Sequence, residues 1–514
     1  MVFAAVFFLN VTANFAFGVA MSAILGPAEF GRYATVALAA VTLGGALFDW
    51  LRFSSLRFSG DGEGRERVAA SLDAGYLGMI GVLCLGGALV AVTGARFGLT
   101  PALLALTPLL AIALNRCDFS GALFRARDQV RAFAWLYGLR QALAFTIVIG
   151  VAYFTRQAAP TIAALAVTSL IPAIALASAL RTPGARLGRA SREKLGQFFV
   201  YAKPIVASLV MYQLIGLINR HSALGNLGAD ATGKLSLASD VGMRLFQAVN
   251  SLPDMFLFQY ALKREREDGR AAAEGQIGAN IVLVCALLAP LAAGYMAMAP
   301  TFEKLLVPSA YRGDFARLSV ELTPGFVALC AISSVLNPVF QLAKRTWPLT
   351  IAATAALATD LALLRFGDAA SSTDGLSRAF SISLVVGFLV SAAIAMRNPA
   401  VRPRARDLAI IAAATVVVYF AIRPLNGVAT PAVVALLAPI LGGGVFGGAL
   451  LAFDVAGLRA LALERWRARL ARPSPAVASP PASHPREVEI APAARRTALG
   501  AAVVSHVAMA RAMQ

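Results

Sequence analysis

The chain has 514 residues, of which 58% are hydrophobic and 14% are charged, and its formal net charge is +19. Soluble proteins carry about 25% charged residues, so this composition excludes a soluble globular protein. Apolar runs of about 20 residues, each long enough to cross a hydrocarbon core of about 30 Å, recur along the whole sequence. We therefore interpret the basic charge as a sign of membrane topology, and we expect no nucleic-acid partner.

Fourteen apolar runs are predicted to be transmembrane helices, so the predicted fold class is an all-α polytopic membrane protein. Their approximate ranges are 1–25, 33–48, 73–95, 99–115, 132–154, 160–180, 203–219, 234–252, 277–299, 319–341, 346–364, 376–396, 407–422 and 431–454. The eighth is the least apolar, because it contains both Asp240 and Arg244. Without it, the second half of the chain would be inverted in the membrane.

The distribution of basic residues supports the count of fourteen. With the N-terminus placed in the cytoplasm, the six cytoplasmic connections contain 24 Lys and Arg residues, and the seven opposite connections contain 11. This positive-inside excess predicts that both termini are cytoplasmic. The connections on both sides are short, which leaves no room for a soluble catalytic domain between the spans.

The remaining features of the chain predict no additional chemistry. The first apolar run lacks a charged segment before it, so no cleavable signal peptide is expected. The four cysteines and three histidines have no metal-ligand or redox spacing, so neither a metal nor another cofactor is expected. After Arg459, a basic amphipathic stretch is predicted to lie on the anionic inner surface of the membrane, and the chain from Arg472 is predicted to be disordered.

A short element occurs once in each half of the chain. The sequence from Leu25 to Tyr33 reads LGPAEFGRY, and 202 positions later the sequence from Leu227 to Leu235 reads LGADATGKL. Each copy joins the first two spans of its half. In each copy, the first glycine is predicted to end a helix in a left-handed conformation, and the second glycine to precede the next helix.

This repeat predicts two related bundles. Because each half contains six spans, both halves start from the cytoplasm and form a parallel repeat about an axis along the membrane normal. Such bundles enclose a central cavity and expose it alternately to the two sides by rocking. The predicted parts are an N-terminal six-helix bundle at 1–180, a cytoplasmic linker at 181–202, a C-terminal six-helix bundle at 203–396, two further helices at 407–454, and the tail at 455–514.

Polar side chains inside the spans mark the candidate site, since such groups are costly in a membrane and usually face a cavity. They concentrate in spans one, two, seven and eight, which are equivalent in the repeat, and one arginine lies in span five. The candidates for substrate binding are Asn10, Asn14, Arg52, Arg140, Gln213, Arg220 and Arg244, and the candidate coupling or gating carboxylates are Asp49 and Asp240.

Each candidate also has a purely structural interpretation. Asp240 and Arg244 are four residues apart, so they could form a salt bridge within one helix or could both line the transport path. Arg52 could be a topology anchor at the membrane edge, and Arg140 could extend to the interface. The asparagines of the first span could hold helices together by hydrogen bonds.

The stretch from Asn10 to Arg57 resembles the bacterial polysaccharide exporters of the multidrug/oligosaccharidyl-lipid/polysaccharide (MOP) superfamily, the Wzx-type flippases. The resembling residues are Asn10, Asn14, Leu25-Gly26-Pro27-Ala28-Glu29-Phe30-Gly31-Arg32-Tyr33 and Asp49-Trp50-Leu51-Arg52, and the second copy, between Asn219 and Asp240, is similar in style. The resemblance covers all fourteen spans in topology but only these two stretches in motif.

This resemblance implies a flippase that moves an undecaprenyl-diphosphate-linked oligosaccharide across the bacterial inner membrane, for exopolysaccharide, O-antigen, lipopolysaccharide or capsule synthesis. A polysaccharide polymerase and export machinery are implied as partners, besides membrane lipids. A cationic cavity would suit the diphosphate, with Arg52, Arg140 and Arg244 as phosphate or sugar contacts. Asp49 and Asp240 would couple an ion or a proton to the transition between states.

Three alternatives stay open beside a scaffolding role. The lipid II flippases of the same superfamily are the nearest of them. Drug/cation antiporters usually have twelve spans and acidic cavities, whereas this chain has fourteen predicted spans and mostly arginine. A membrane glycan polymerase or ligase would be an enzyme with a sizeable extracytoplasmic loop, and the short loops argue against it. We therefore expect a transporter and not an enzyme.

Overall fold

The computed structural model describes residues 2–58, 64–94, 97–343 and 345–459, and for residues 2–8, 10, 11, 252, 254, 255 and 456 it describes the backbone alone. The amphipathic stretch and the tail predicted beyond Arg459 lie outside the described residues. All regular secondary structure in the described ranges is helical. The long helices are α1 (Val2–Phe58), α2 (Arg65–Thr93), α3 (Pro101–Ala126), α4 (Val130–Thr155), α5 (Ala158–Ala175), α6 (Arg192–Asn226), α7 (Ala229–Asp268), α8 (Arg270–Leu306), α9 (Phe315–Leu342), α10 (Trp347–Phe366), α11 (Thr373–Ala395), α12 (Ala405–Ile422) and α13 (Pro431–Ala452).

Twelve of these described helices, all except α7, are long and apolar enough to cross a membrane. Helix α1 accounts for two predicted spans, because its backbone breaks at Gly26 with φ 71° and ψ 171°. Helix α7 is polar but has 40 residues, and it packs against α1, α8 and α9, so its polar side chains face protein on several sides. With α1 counted twice and α7 included, the fold is the predicted all-α polytopic membrane protein of about fourteen helices.

The two glycine-containing elements have the same backbone geometry at their first glycine. Gly228 has φ 89° and ψ 173°, close to the values at Gly26. Both glycines therefore adopt a conformation that residues with a Cβ rarely adopt, and in both copies a new helix starts at the next residue. In the first copy that residue is Pro27, whose fixed φ suits the first turn of a helix.

The prediction that Gly31 and Gly233 precede the next helices is wrong, since both lie inside helices, in α1 and α7. Their role is close packing. A Cβ on Gly31 would lie 2.7 Å from the backbone nitrogen of Gly233 and closer still to the carbonyl oxygen of Ala229, and a Cβ on Gly233 would overlap the carbonyl of Pro27. The two repeated elements therefore cross each other in direct backbone contact.

Two predicted spans end too early. The second span of α1 continues to Phe58 instead of ending near residue 48, and α3 continues to Ala126 instead of ending near residue 115. Asp49, Arg52 and Asp118 therefore lie inside helices. A span predicted from hydropathy stops at its first charged residues. The helices continue, since Asp49 and Arg52 pair with each other and Asp118 pairs with Arg140.

Helix α1 is the central element of the fold. It packs against α3 and against α6 and α7, and so it contacts both halves of the chain. The last two helices, α12 and α13, pack together on the outer side of α8 around a separate apolar cluster that includes Ala293, Ile411, Val418 and Ala438. Polar side chains near α1 are thus enclosed by several helices, while α12 and α13 lie at the periphery.

Candidate functional site

The first part of the site joins α1, α4 and α7. The Arg244 guanidinium of α7 donates a hydrogen bond to the backbone carbonyl of Asn14 in α1. The Asn14 side chain in turn accepts a hydrogen bond at 3.1 Å from Nε2 of Gln141 in α4. The structure therefore brings together two predicted site residues that are 230 positions apart, and the side chain of Asn10 lies outside the described residues.

The second part joins α4 to α3. Nη1 of Arg140 lies 3.5 Å from Oδ1 of Asp118, and the Tyr137 hydroxyl donates to the same oxygen at 3.4 Å. Directly after Arg140 and Gln141, helix α4 widens into a π-helical turn at Ala144–Val148, a distortion that is common at functional sites. Arg140 is thus held within the protein by a carboxylate instead of extending to the interface.

The third part joins α6, α7 and α1. The Arg220 guanidinium pairs with Asp240 and donates a hydrogen bond at 3.0 Å to the carbonyl of Ala34. Of the two interpretations of Asp240 and Arg244, the salt bridge within one helix is wrong as a description of this structure, since the carboxylate pairs with Arg220. The side chain of Arg220 is only 8% exposed, and its burial is compensated by this ion pair with a neighbouring helix.

The fourth part lies near the end of α1. Nη2 of Arg52 is 3.2 Å from Oδ2 of Asp49, and the two side chains are 6% and 4% exposed. Arg52 is therefore buried beside Asp49 and does not reach out to the interface as a topology anchor would. Gln213 of α6 is also buried, and its side chain amide lies against Gly45 of α1.

These four parts are connected through α1 and α4. Three of them contain residues of α1, and the second is joined to the first because Arg140 and Gln141 are neighbours in α4. The named groups comprise four arginines and three aspartates. Each arginine except Arg244 faces a carboxylate, whereas Arg244 is bonded to a neutral carbonyl. The site is therefore less cationic than expected, and its excess positive charge lies at Arg244.

Sequence reasoning did not identify several residues of this site. Asp118 was placed outside the membrane because span four was predicted to end too early. Gln141 gave no signal, since a single amide in an apolar run is unremarkable. Their relevance depends on contacts between helices that are far apart in the chain.

A further carboxylate, also not identified from the sequence, lies in the second half of the chain. Asp360 of α10 is completely buried and accepts hydrogen bonds from Nδ2 of Asn219 at 2.9 and 3.0 Å and from Oγ of Ser383 at 3.2 Å. These partners are neutral. The signal was available, because Asp360 is a lone carboxylate in the predicted span 346–364. Among the described residues, no group of three His, Cys, Asp or Glu side chains has an arrangement that could hold a metal ion.

The fold of this chain is similar to that of a solved membrane protein. The lipid II flippase MurJ in an inward closed conformation matches 88% of this chain and 98% of its own length, with a TM-score of 0.68 at 14% sequence identity. The two proteins share a fold. No protein-family model and no curated protein sequence matches the chain.

An inward-facing multidrug resistance MATE family transporter of the MOP superfamily matches 76% of this chain and 95% of its own length at 15% identity, with a TM-score of 0.47. The likeness to the MurJ structure confirms the fold expected from the resemblance to the superfamily. At 14% identity it concerns the fold alone and does not extend to the Wzx-type flippases in particular.

Proposed function

We propose that the protein is a membrane flippase that moves undecaprenyl-diphosphate-linked oligosaccharide units across the bacterial inner membrane by alternating access, for the synthesis of a surface polysaccharide. It acts as a transporter and not as an enzyme. The resemblance of the stretch from Asn10 to Arg57 to the Wzx-type exporters supports this substrate class. The MurJ-like fold supports a flippase in general.

The observation that carries the proposal is the position of Arg244. Its guanidinium lies between the two halves of the chain, where it bonds to the α1 backbone at Asn14, and it faces no carboxylate among the described contacts. A guanidinium can form two parallel hydrogen bonds with a phosphate, and such charge-assisted bonds are the strongest kind. Arg244 is therefore the residue best suited to bind the diphosphate, with Arg52 and Arg140 as further contacts once their aspartates are displaced.

Alternating access requires one end of the path to be closed while the other is open. Near Gly31 and Gly233 the two halves are in backbone contact, and the Tyr311 hydroxyl donates a hydrogen bond at 3.1 Å to the carbonyl of Ser22. In the proposed mechanism, these contacts separate when the outward state forms. Asp49 and Asp240 act as coupling or gating carboxylates, because each is paired with an arginine that the substrate would compete for.

The proposal includes an orientation and a division into parts. Both termini are cytoplasmic, and the Gly26 and Gly228 turns face the extracytoplasmic side. The rocking units are the bundles at 1–180 and 203–396, which are connected by the linker at 181–202 and followed by the two helices at 407–454. A polysaccharide polymerase and the export machinery would receive the flipped units.

A second candidate is the flipping of lipid II for peptidoglycan synthesis. The specific observation in its favour is the match to the MurJ structure over 88% of the chain. Lipid II and the proposed substrate share the undecaprenyl diphosphate, so an arginine that binds one diphosphate would suit both. The glycan attached to it distinguishes the two candidates.

Depletion of the protein in its own host tests both candidates. We expect the complete lipid-linked repeat unit to accumulate on the cytoplasmic leaflet and surface polysaccharide to be lost. Accumulation of the peptidoglycan precursor with cell lysis would support the lipid II candidate. Single repeat units that reach the outer leaflet but stay unpolymerised would contradict both and indicate a polymerase or ligase.

Complementation of the depleted cells tests the role of Arg244. We expect Arg244→Ala to be inserted in the membrane at the wild-type level but to restore transport at least about tenfold more slowly, the size expected when a charge-assisted phosphate contact is lost. Arg397→Ala, which removes an exposed arginine far from α1, is the matched control and should complement fully. Full transport by Arg244→Ala would refute the assignment.

A further inference from the structure

A second basic region lies away from α1, at the opposite end of the bundle from the Gly26 and Gly228 turns. A cavity of about 400 Å³ opens there where α2 begins and α3 ends, next to the linker between the two halves. Four arginines line it, Arg65, Arg116, Arg127 and Arg181, and Asp73 is the single acidic residue among its lining residues. The lining therefore carries an excess of three positive charges.

The cavity is built by specific contacts of the linker with α2 and α3. Nη1 of Arg127 donates at 2.8 Å to the carbonyl of Leu180, and its Nη2 donates at 2.9 Å to the hydroxyl of Thr182. Farther along the linker, Arg189 forms an ion pair with Glu66, and the backbone N–H of Ser191 donates at 2.9 Å to Oγ of Ser71. These contacts hold the linker against α2, so the cavity wall does not depend on a ligand.

Arg116 and Arg127 are positioned by neutral groups, and the one carboxylate of the lining, Asp73, cannot neutralise both of them. Arg127 bonds to a carbonyl and a hydroxyl, and the guanidinium of Arg116 lies over the ring of Tyr76 at 5.4 Å. Guanidinium groups arranged in this way match the geometry and charge of a phosphate better than lysines would. Like-charged arginines around one cavity repel each other until such an anion neutralises them.

Most of the remaining lining residues are apolar, and they indicate the source of the phosphate. Val68, Leu72, Leu123 and Leu180 line the same cavity. Beyond it, α2 presents an exposed apolar face to the membrane, with Leu77 52% and Leu85 74% exposed. An anion with attached acyl chains would satisfy both surfaces, whereas free phosphate would satisfy only the arginines.

We propose that this cavity binds the phosphate of an anionic phospholipid at the membrane surface, and that the bound lipid adds to the contacts that already hold the linker against α2. Basic pockets between transmembrane helices are known to bind such head groups. This site is separate from the residues around α1, so it does not rest on the proposed function. It serves the same purpose whichever glycan lipid the protein carries.

The test uses the full-length protein, delipidated in a neutral detergent, and follows its thermal unfolding during titration with phosphatidylglycerol. A ligand that binds only the folded state raises the unfolding temperature increasingly as its concentration exceeds the dissociation constant. We expect stabilisation by phosphatidylglycerol and none by phosphatidylcholine or by inorganic phosphate alone. The double variant Arg116→Gln/Arg181→Gln should bind phosphatidylglycerol at least about tenfold more weakly, as expected for lost charge-assisted contacts.

The matched control is the double variant Arg131→Gln/Arg186→Gln, which removes the same charge from two exposed positions of the same region that do not line the cavity. It should bind like the wild type. Equal weakening in both double variants, or equal stabilisation of the wild type by both phospholipids, would overturn the proposal. Stabilisation by inorganic phosphate alone would instead assign the cavity to a soluble phosphate compound and would refute the lipid.

If the double variant fails to fold, the single variant Arg181→Gln keeps the question testable. Arg181 is exposed, so its replacement should not affect folding. The wild-type comparison of the two phospholipids requires no variant and decides the lipid preference by itself.

Discussion

Charged side chains are tolerated near α1 because each buried guanidinium has an acceptor, either within its own helix, as for Arg52, or on a neighbouring helix, as for Arg220. A buried charge costs several kcal/mol unless it is paired, about 3–5 kcal/mol when one partner is removed. Arg220 satisfies this requirement with both a carboxylate and a carbonyl, whereas Arg244 has a carbonyl from α1. In this structure Arg220 is therefore fully paired, whereas Arg244 remains available to an anionic substrate.

Asp360 gives the sharpest prediction at the scale of a single residue. Its carboxylate is buried among neutral donors, so gain or loss of a proton or a cation there would change the interactions that hold α6, α10 and α11 together. We expect the flipping rate of the wild type to depend on pH. Asp360→Asn should fold but flip substrate about tenfold more slowly, a factor in the range of typical coupling energies, and its rate should no longer depend on pH. Flipping rates in reconstituted vesicles at several pH values measure this.

The control for Asp360 is Ser383→Ala, which removes one hydrogen bond but keeps the carboxylate. This variant should keep the pH dependence of the wild type. A wild-type pH profile in Asp360→Asn would exclude Asp360 from coupling.

Asp314 predicts a pH effect on stability outside the membrane-spanning segments. Burial disfavours its ionised form, but hydrogen bonds from Lys234 and Arg317 outweigh burial and hold the pKa of the Asp314 carboxyl below its usual range. Oδ2 of Asp314 lies 3.1 Å from Nζ of Lys234, and Oδ1 of Asp314 lies 2.8 Å from Nη2 of Arg317. Because the folded-state pKa is lowered, this stabilisation is present above the unfolded-state value of about 3.9 and is lost as the pH falls through the folded-state pKa.

The measurement for Asp314 is thermal unfolding of the wild type and Asp314→Asn between neutral pH and pH 3. At neutral pH we expect the wild type to be more stable by up to about 1 kcal/mol, the size typical of partly exposed ion pairs. The difference should shrink in acid, where the wild-type carboxyl also becomes neutral. A constant difference across the whole range would show that the ion pairs contribute nothing.

At the scale of an element, the repeated glycine-containing stretch organises both halves. Gly26 provides the turn, Pro27 starts the next helix, and Gly31 allows α1 to cross α7 in backbone contact. Glu29 accepts a hydrogen bond at 2.8 Å from the N–H of Ala158, which ties the turn to the start of α5. One nine-residue stretch thus makes contacts with both halves of the chain.

The crossing predicts a specific effect of Gly31→Ala. The added methyl group would overlap backbone atoms of Ala229 and Gly233, which cannot move aside as a flexible side chain can. We expect α1 and α7 to separate at this end. The reporter is a cysteine at Ala34→Cys, in a protein from which the four native cysteines have been removed. With Gly31→Ala this cysteine should react with maleimide at least about fivefold faster, a factor within the range of conformational coupling energies. Ala34 is 3% exposed in the intact structure.

Gly225→Ala is the matched control for the crossing, because Gly225 lies at the same end of α6 and a Cβ there would meet no atom within 4 Å. With Gly225→Ala, the cysteine at Ala34→Cys should react with maleimide at the same rate as in a protein with both glycines intact. An unchanged rate in Gly31→Ala would show that the backbone contact does not keep this end closed.

At the scale of the whole molecule, the orientation in the membrane is the main prediction. The basic residues concentrate at the end where α2 begins, which the positive-inside rule assigns to the cytoplasm. In intact cells, a membrane-impermeant maleimide should therefore label Gln157→Cys, between α4 and α5. It should label Arg186→Cys, in the linker, only after permeabilisation. Both positions are exposed, so the reverse pattern would invert the topology.

The sequence alone determined the class of protein and the number of helices. The reason is that an apolar run must be long enough to cross the hydrocarbon core, and basic residues are favoured on the cytoplasmic side of the membrane. It also located the repeat, since the conformation at Gly26 and Gly228 requires glycine. Most of the candidate polar residues could be named for the same reason, as polar groups are rare in apolar spans. The partners of these residues could not be named from the sequence.

Only the tertiary structure decided which charges meet. Asp240 pairs with Arg220 of the neighbouring helix and not with Arg244 of its own helix, and Arg140 pairs with an aspartate of α3. Helical spacing ranks neighbours within one helix, whereas these pairs depend on how the helices pack against one another. The crossing of Gly31 and Gly233, 202 positions apart, has the same origin: local sequence sets the turn, and packing of the two halves sets the contact.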